Sequence, residues 1–267
     1  MATLFTYDRP VTGKNHIGRK DESDTLRQLI EAGRNIVIYE PPKTGKSSLI
    51  AQTLYAMRLD SVKFNCLEIS LLNVRSTTDL LFKLAGALLD HFTTTPSERT
   101  AFAQRYLAGT HFVIDGGSSA EGTAAATVSL GAGTELDARD IRTILAIPYR
   151  LAEDRGEKLI VILDEFQNIN LCEDNITALK LFEDVVRKST AEQQSLCSWI
   201  WTGSQVNAMK EIFEKGAWFN RMAVRVTLGS IPYKDIETYI VRAFLTGGKV
   251  IEKSDLQTVA ESLECNV

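Results

Sequence analysis

The feature that most constrains the fold is a buried strand that leads through a short loop directly into a helix. Residues 35–39 are Asn-Ile-Val-Ile-Tyr, a β-branched and aromatic run that predicts a buried strand. Residues 40–47 follow as Glu-Pro-Pro-Lys-Thr-Gly-Lys-Ser, and a helix is expected to begin at Lys46. Because strands alternate with helices of ten or more residues along the rest of the chain, we predict crossover connections and a mostly parallel sheet.

The loop fits a phosphate-binding loop of the form G-x-x-x-x-G-K-[ST] at every fixed position except the first. Backbone N–H groups at a helix start converge on phosphate oxygens, and the helix dipole adds favourable potential. Lys46 is expected to reach the β- and γ-phosphates, and the Ser47 hydroxyl to bind Mg²⁺. The residues predicted to surround the phosphates of a bound nucleotide are Pro42, Lys43, Thr44, Gly45, Lys46, Ser47 and Ser48.

Glu40 stands where the motif has its first glycine. A carboxylate aimed inward would repel a triphosphate, and prolines at 41 and 42 supply no N–H group. Because the donors from Thr44 to Ser48 remain, we expect weakened or altered nucleotide binding and not its abolition. A G-K-[ST] triplet occurs by chance in about one chain in eight of this length at average residue usage, so the loop needs support from a second motif.

The second motif is a buried strand that ends in two acids. Residues 159–163 are apolar, and Asp164 and Glu165 follow them directly. In P-loop proteins the first acid holds Mg²⁺ and the second polarises the attacking water. Acids at the carboxyl end of a strand lie at the ligand edge of a parallel sheet. An acidic surface turn is the alternative, but two motifs in the correct order, each after a strand, make chance a poor explanation.

Two further segments offer candidate site residues. Residues 198–204 predict a strand that ends in Thr202 and Ser204, either of which is a candidate to contact Glu165 and the γ-phosphate. An ordinary Thr-Gly-Ser turn explains this segment equally well. Arg221 precedes a predicted strand at 224–228, and an arginine supplied in cis or by a neighbouring subunit can stabilise transition-state charge. A surface arginine paired with an acid is the alternative.

The alternation of strands and helices ends near 229–232, which divides the chain into an α/β core at 1–231 and the start of an all-helical segment at 232–267. The segment 111–136 is rich in Gly, Ala, Ser and Thr, which predicts a loop or hairpin insertion and not a core element. Further strands are predicted at 62–70, 159–163 and 198–201. Helices are predicted at 21–31, 77–91, 96–107, 137–155, 175–188, 205–214, 234–245 and 254–263, besides the one that begins at Lys46.

Composition restricts the partners and the compartment. The 267 residues carry a formal net charge of −4, which argues against direct nucleic-acid binding by this chain. The four cysteines show no C-x-x-C spacing, so neither a disulfide framework nor a zinc site is expected. The sequence has no apolar stretch long enough to span a membrane and no signal peptide at its start, and we therefore expect a cytoplasmic location.

Taken together, these motifs resemble the AAA+/STAND side of the P-loop ATPases, most closely the archaeal-type ATPase family. The resemblance covers roughly 17–239 except the insertion. It implies a five-stranded sheet with the P-loop strand central and ATP–Mg²⁺ binding. It also implies a helical lid, of which 232–267 is expected to be the start, and often a winged-helix domain. It also implies that Gly18 and Arg19 approach the nucleotide base and that Arg221 is the family's loop arginine. The segments that carry it are 16–22 (His-Ile-Gly-Arg-Lys-Asp-Glu), 35–47, 163–169 (Leu-Asp-Glu-Phe-Gln-Asn-Ile) and 202–204.

Several functions remain open at this point. The first is a slow ATPase that acts as a conformational switch on a protein partner. The partner is not identified, and a homo-oligomer of the chain is one form that the ATPase could take. The second is a nucleotide-binding module without turnover, which Glu40 favours mildly and Glu165 disfavours. The third is the ATPase component of a DNA-associated complex. A small-molecule kinase is the least favoured, because nothing in the sequence suggests an acceptor pocket.

Overall fold

The computed structural model describes residues 9–115, 127–190, 195–216 and 219–262. Contacts between Cα atoms divide the chain into two compact units. The first draws its described residues from Met1–Gln28, Pro42–Val62 and Val226–Val267, and the second from Leu29–Pro41 and Lys63–Arg225. The predicted boundary between 231 and 232 stays a prediction.

Seven strands and nine α-helices occur in the described residues. The strands are β1 (Ile36–Tyr39), β2 (Phe64–Ser70), β3 (Phe112–Asp115), β4 (Thr127–Leu130), β5 (Lys158–Asp164), β6 (Cys197–Gly203) and β7 (Val224–Arg225). The helices are α1 (Lys20–Glu31), α2 (Lys46–Leu59), α3 (Thr77–Phe92), α4 (Pro96–Tyr106), α5 (Ala138–Arg155), α6 (Asn175–Thr190), α7 (Val206–Lys210), α8 (Tyr233–Thr246) and α9 (Lys253–Ser262).

The second unit is built on a five-stranded parallel sheet in the order β2-β5-β6-β1-β7. The α/β class is therefore confirmed. The implied central position of the P-loop strand is wrong, because β6 is central and β1 lies between β6 and β7. Strand order depends on contacts between distant segments, which local patterns do not encode.

The strand registers place three carboxyl ends at one edge of this sheet. Tyr39 of β1 is level with Gly203 of β6, and Leu163 of β5 is level with Trp201 of β6. Asp164 and Thr202 therefore lie at the edge where β1 runs into its loop. In open parallel sheets this is the edge that binds ligands.

Aromatic side chains fill the core beneath that edge. Phe166, which follows the second acid, is fully buried and lies 6.0 Å from Trp201 and 6.3 Å from Phe182, measured between ring centroids. Phe219 adds a T-shaped contact with Trp201 at 5.4 Å. Such ring pairs stabilise beyond the area they bury, so the backbone after β5 is anchored by tight packing.

Capping residues set the starts of the second unit's long helices. The Thr95 side chain caps α4 by accepting a hydrogen bond from the Glu98 backbone, and Pro96 occupies the first helical position. Asp137 and Asp140 form the equivalent capping box on α5, which continues through Pro148. The predicted helix at 205–214 is shorter as an α-helix, because α7 gives way to π-helical turns at Glu211–Lys215. β7 likewise covers only two residues of the strand predicted at 224–228.

The segment at 111–136 contains a hairpin, and its first strand enters the core. β3 and β4 pair antiparallel, and Phe112 is buried with its ring 5.5 Å from Phe82. The expectation that this segment contributes no core element is therefore wrong for Phe112. The prediction rested on the many small residues of the segment and gave no weight to its one phenylalanine, which packs in the core. Residues 116–126 of this predicted insertion lie outside the described residues.

The first unit is a helical assembly held by polar contacts between distant segments. Ser23 of α1 and Thr53 of α2 share a buried hydroxyl–hydroxyl hydrogen bond of 2.9 Å, and Arg27 forms an ion pair with Asp60. The Arg242 guanidinium of α8 donates to the Lys14 carbonyl at 2.8 Å. Among the described helices of the whole chain, none combines the length and the apolar character that crossing a membrane requires.

Candidate functional site

The loop before α2 has the backbone geometry of an anion-binding turn. Lys43 has φ +66° and Gly45, which caps α2, has φ +94°. Left-handed residues of this kind curve successive N–H groups into a concave surface that favours anions. Lys46 is 8% exposed at the first position of the helix, whereas Ser47 is exposed. Because the turn immediately precedes α2, the positive end of the helix dipole lies directly beside it.

Arg19 contacts this loop within the first unit. Its guanidinium donates to the Thr44 carbonyl at 2.9 Å, and a side chain added at Gly45 would meet it at 3.8 Å. Gly18 has φ +59°, and a Cβ there would lie 3.2 Å from Ile231 and 3.3 Å from the Asp235 carboxylate. The structure thus brings Arg19 to the loop, while the approach of Gly18 and Arg19 to a nucleotide base stays a prediction.

The first acid of the second motif lies at the tip of β5 against β6. The Thr202 hydroxyl donates a hydrogen bond to the Asp164 carboxylate, and the Asp164 carbonyl accepts one of 2.8 Å from the Leu71 backbone. Thr202 is buried, so its rotamer is fixed by packing. The carboxylate is consequently held in one orientation at the sheet edge.

The second acid is held by two side chains. Ser204 Oγ donates to Glu165 Oε2 at 2.7 Å, and Gln167 Nε2 donates to the same oxygen. Glu165 also has φ +55°, a left-handed conformation that costs about 1–3 kcal/mol for a residue with a side chain. Strain of this kind persists only where the surroundings impose it, and it concentrates at functional sites.

Sequence reasoning missed Gln167 and Glu68 as members of this cluster. Gln167 is part of the run Asp-Glu-Phe-Gln that the sequence analysis singled out. Its contact with Glu165 was not predictable from that run, because it depends on the left-handed turn at Glu165. Glu68 lies on β2 beside β5. Glu68 is exposed, but partial desolvation at the sheet, and then the negative charge of Asp164, raise the pKa of its carboxyl. The charge at the tip of β5 therefore acts on a third carboxyl group on the neighbouring strand.

A second cluster surrounds the last residue of β1. The Tyr39 hydroxyl donates to Glu214, and the Arg225 guanidinium lies 4.2 Å from the centroid of the Tyr39 ring and 3.1 Å from Glu214. Burial, followed by the bond to Glu214, raises the pKa of Tyr39 to about 12. This cluster ties β1, β7 and the π-helical turns together where the chain enters the loop. The next residue, Glu40, is half-buried.

Arg221 lies exposed in the turn that precedes β7, with φ +62°. Residues 217–218 of the same turn lie outside the described residues. A role for Arg221 in stabilising charge stays a prediction.

Solved structures share this architecture, although no protein-family model matches the sequence and no curated protein matches it. A Walker-type ATPase of Pyrococcus abyssi, PABY2304, superposes with a TM-score of 0.61 at 16% identity, over 97% of this chain and 67% of its own. Cdc6p from Pyrobaculum aerophilum gives 0.51 at 12% identity, over 94% and 55%. A chain in the HORMA–CdnC–Trip13 complex of Escherichia coli MS115-1 gives 0.53 at 9% identity, over 92% and 73%.

The chain has the fold of a P-loop ATPase. The likeness to the Pyrococcus protein, together with the parallel sheet order, decides this point. The chain spans about two thirds of the length of that protein and about half of Cdc6p.

Proposed function

We propose that the chain binds ATP with Mg²⁺ and hydrolyses it slowly, acting as a conformational switch. The observation that carries the proposal is the constrained Glu165 carboxylate beside Asp164, at the sheet edge where β1 runs into its loop. Side chains of this type in this order supply a metal ligand and a general base. The P-loop fold supports the assignment but does not by itself establish turnover.

Residues 42–48 fit a triphosphate by their backbone geometry. The left-handed residues Lys43 and Gly45 and the start of α2 present N–H groups for phosphate oxygens, and Lys46 adds a charge. Oxygen ligands suit Mg²⁺, so Ser47 and Asp164 are the residues that would hold it. When bound, Mg²⁺ neutralises charge that develops on the phosphates. Glu40 weakens nucleotide affinity by its negative charge.

Glu165 acts as the base in the proposed reaction. It accepts a proton from the water molecule whose oxygen bonds to the γ-phosphorus, while the bond from that phosphorus to the bridging oxygen breaks. The products are ADP and inorganic phosphate. Ser204 holds the base, and Arg221 stabilises the charge of the transition state.

ATP titration of wild type and Lys46→Ala, with and without Mg²⁺, tests the binding step. Loss of the Lys46 charge should reduce ATP affinity about tenfold or more, because hydrogen bonds to charged groups contribute about 1.5–3 kcal/mol. Lys63→Ala removes an exposed lysine before β2 and is the matched control, for which unchanged affinity is expected. ATP affinity in Lys46→Ala equal to that of wild type would refute the assignment of the loop.

A second candidate is the ATPase component of a DNA-associated complex. The Aeropyrum pernix ORC1 protein, solved in complex with DNA, shares the fold with a TM-score of 0.51 at 11% identity, over 86% of this chain and 50% of its own. The net charge of −4 opposes direct contact with DNA. Duplex binding that weakens steeply with added salt would favour this candidate.

A further inference from the structure

Gln167 is a buried amide that follows the proposed base by two residues. It lies in the 3₁₀ segment Phe166–Leu171 and is 4% exposed. Its Nε2 donates to Glu165 Oε2. The orientation of this amide follows from chemistry, because an ionised carboxylate only accepts hydrogen bonds and must therefore face the NH₂ group.

That orientation leaves the amide oxygen on the opposite side, against β6. A Cβ on Gly203 would lie 2.6 Å from Gln167 Oε1, so this part of β6 contacts the amide closely. No donor among the residues that the structure describes reaches Oε1, which is itself buried. A buried acceptor without a donor costs stability. An apolar side chain of the same length would fill this space without that cost.

The Gln167 amide therefore lowers the stability of the fold through its unpaired oxygen, while its NH₂ group donates a hydrogen bond to Glu165. Ser204 donates to the same oxygen at 2.7 Å. Two donors on Oε2 fix the rotation of the carboxylate, and no described residue donates to Oε1 of Glu165. The second oxygen is consequently left to accept the proton of a water molecule. The amide of the neighbouring Asn168 has a different partner, because it donates to the Leu71 carbonyl at 3.1 Å and so fixes the chain that follows β2.

We propose that Gln167 is a positioning residue for the hydrolysis proposed above, which holds Glu165 so that its Oε1 acts as the base. This inference rests on the proposed function. Gln167 itself does not take the proton. Its contribution is to reduce the number of carboxylate orientations, which is the means by which positioning accelerates a proton transfer.

Gln167→Met tests the inference, because it keeps the chain length and removes both amide atoms. We expect kcat for phosphate release to fall about tenfold to a hundredfold, a part of what general-base catalysis provides. ATP affinity should stay within twofold of wild type, and the melting temperature should stay equal or rise. A residue with a purely structural role would lower the melting temperature instead. Gln104→Met, at an exposed position of α4, is the matched control and should leave all three unchanged.

Gln167→Asn provides a second variant if the methionine variant does not fold. It keeps the amide but is one methylene shorter, so it should lose the contact with Glu165 and show the same fall in kcat at unchanged ATP affinity. A folded Gln167→Met or Gln167→Asn with wild-type kcat would overturn the inference while leaving the proposed function intact. A fall in kcat that accompanies an equal loss of ATP affinity or of stability would also overturn it. A wild-type chain that binds ATP without releasing phosphate would instead refute the proposed hydrolysis, and this inference with it.

Discussion

At the scale of single residues, Gly203 shows how closely two segments meet at the site. A Cβ at this position would lie 2.6 Å from both Gln167 Oε1 and Met209 Sδ, distances that real Cβ atoms do not show. Met209 is fully buried and Gln167 is held by its bond to Glu165. A side chain at Gly203 would therefore have to displace one of them.

We predict that Gly203→Ala destabilises the fold by about 1–3 kcal/mol, the usual cost of overpacking a core, and reduces turnover through Gln167. Urea unfolding and phosphate release measure the two effects. Gly86→Ala is the matched control, because nothing lies within 4 Å of a Cβ at that position of α3. That control should gain about 0.5–1 kcal/mol from reduced backbone entropy. A neutral or stabilised Gly203→Ala would show that the close approach is wrong.

At the scale of elements, a histidine joins the hairpin to the start of α5. His111 Nδ1 lies 2.9 Å from the Asp140 carboxylate, and the His111 backbone donates to the same side chain at 2.8 Å. The hydrogen bond that the His111 ring donates to the Asp140 carboxylate raises the pKa of His111. For Asp140, burial raises the pKa, but donation from the Asp137 and His111 backbones and from the His111 ring outweighs it, so the net pKa is lowered.

The raised pKa of His111 gives the stability of this junction a defined pH dependence. Stabilisation from protonated His111 is fully present below its unfolded value of about 6.5 and disappears as pH rises through the higher folded value. We predict that His111→Gln lowers the melting temperature more at pH 6 than at pH 8.5. Asp137 and Arg139 also face His111, with opposing effects on its pKa. An equal effect of the substitution at both pH values would contradict the pairing.

Element types were predictable where local chemistry decides them, and contacts were not. The capping residue Thr95 with Pro96, the apolar run of β5 and the turn before α2 are specified within a few residues. The central position of β6 and the Ser204 donor on Glu165 depend on contacts between segments that are distant in the sequence, 39 residues apart in the case of Ser204. Phe112 was missed for a similar reason, because its burial follows from a contact with Phe82.

At the scale of the whole chain, the parallel sheet explains why scattered motifs can serve one chemistry. The chain places the Asp-Glu pair at 164–165 and the Thr-Gly-Ser run at 202–204, and the register of β5 and β6 brings their ends to one edge. β1 ends at that edge as well. The sheet therefore fixes the acids and their hydrogen-bond donors before any ligand binds, so little reorganisation is needed during the reaction.

Phosphate release at saturating ATP and Mg²⁺, compared between wild type and Glu165→Gln, tests the central claim most directly. The substitution keeps the size of the side chain and removes its capacity to accept a proton. We predict that the variant binds ATP with wild-type affinity and loses at least about a hundredfold in turnover, the lower range for a general base. Equal rates from the two proteins, at the level of the background, would contradict an ATPase and leave a nucleotide-binding module without turnover.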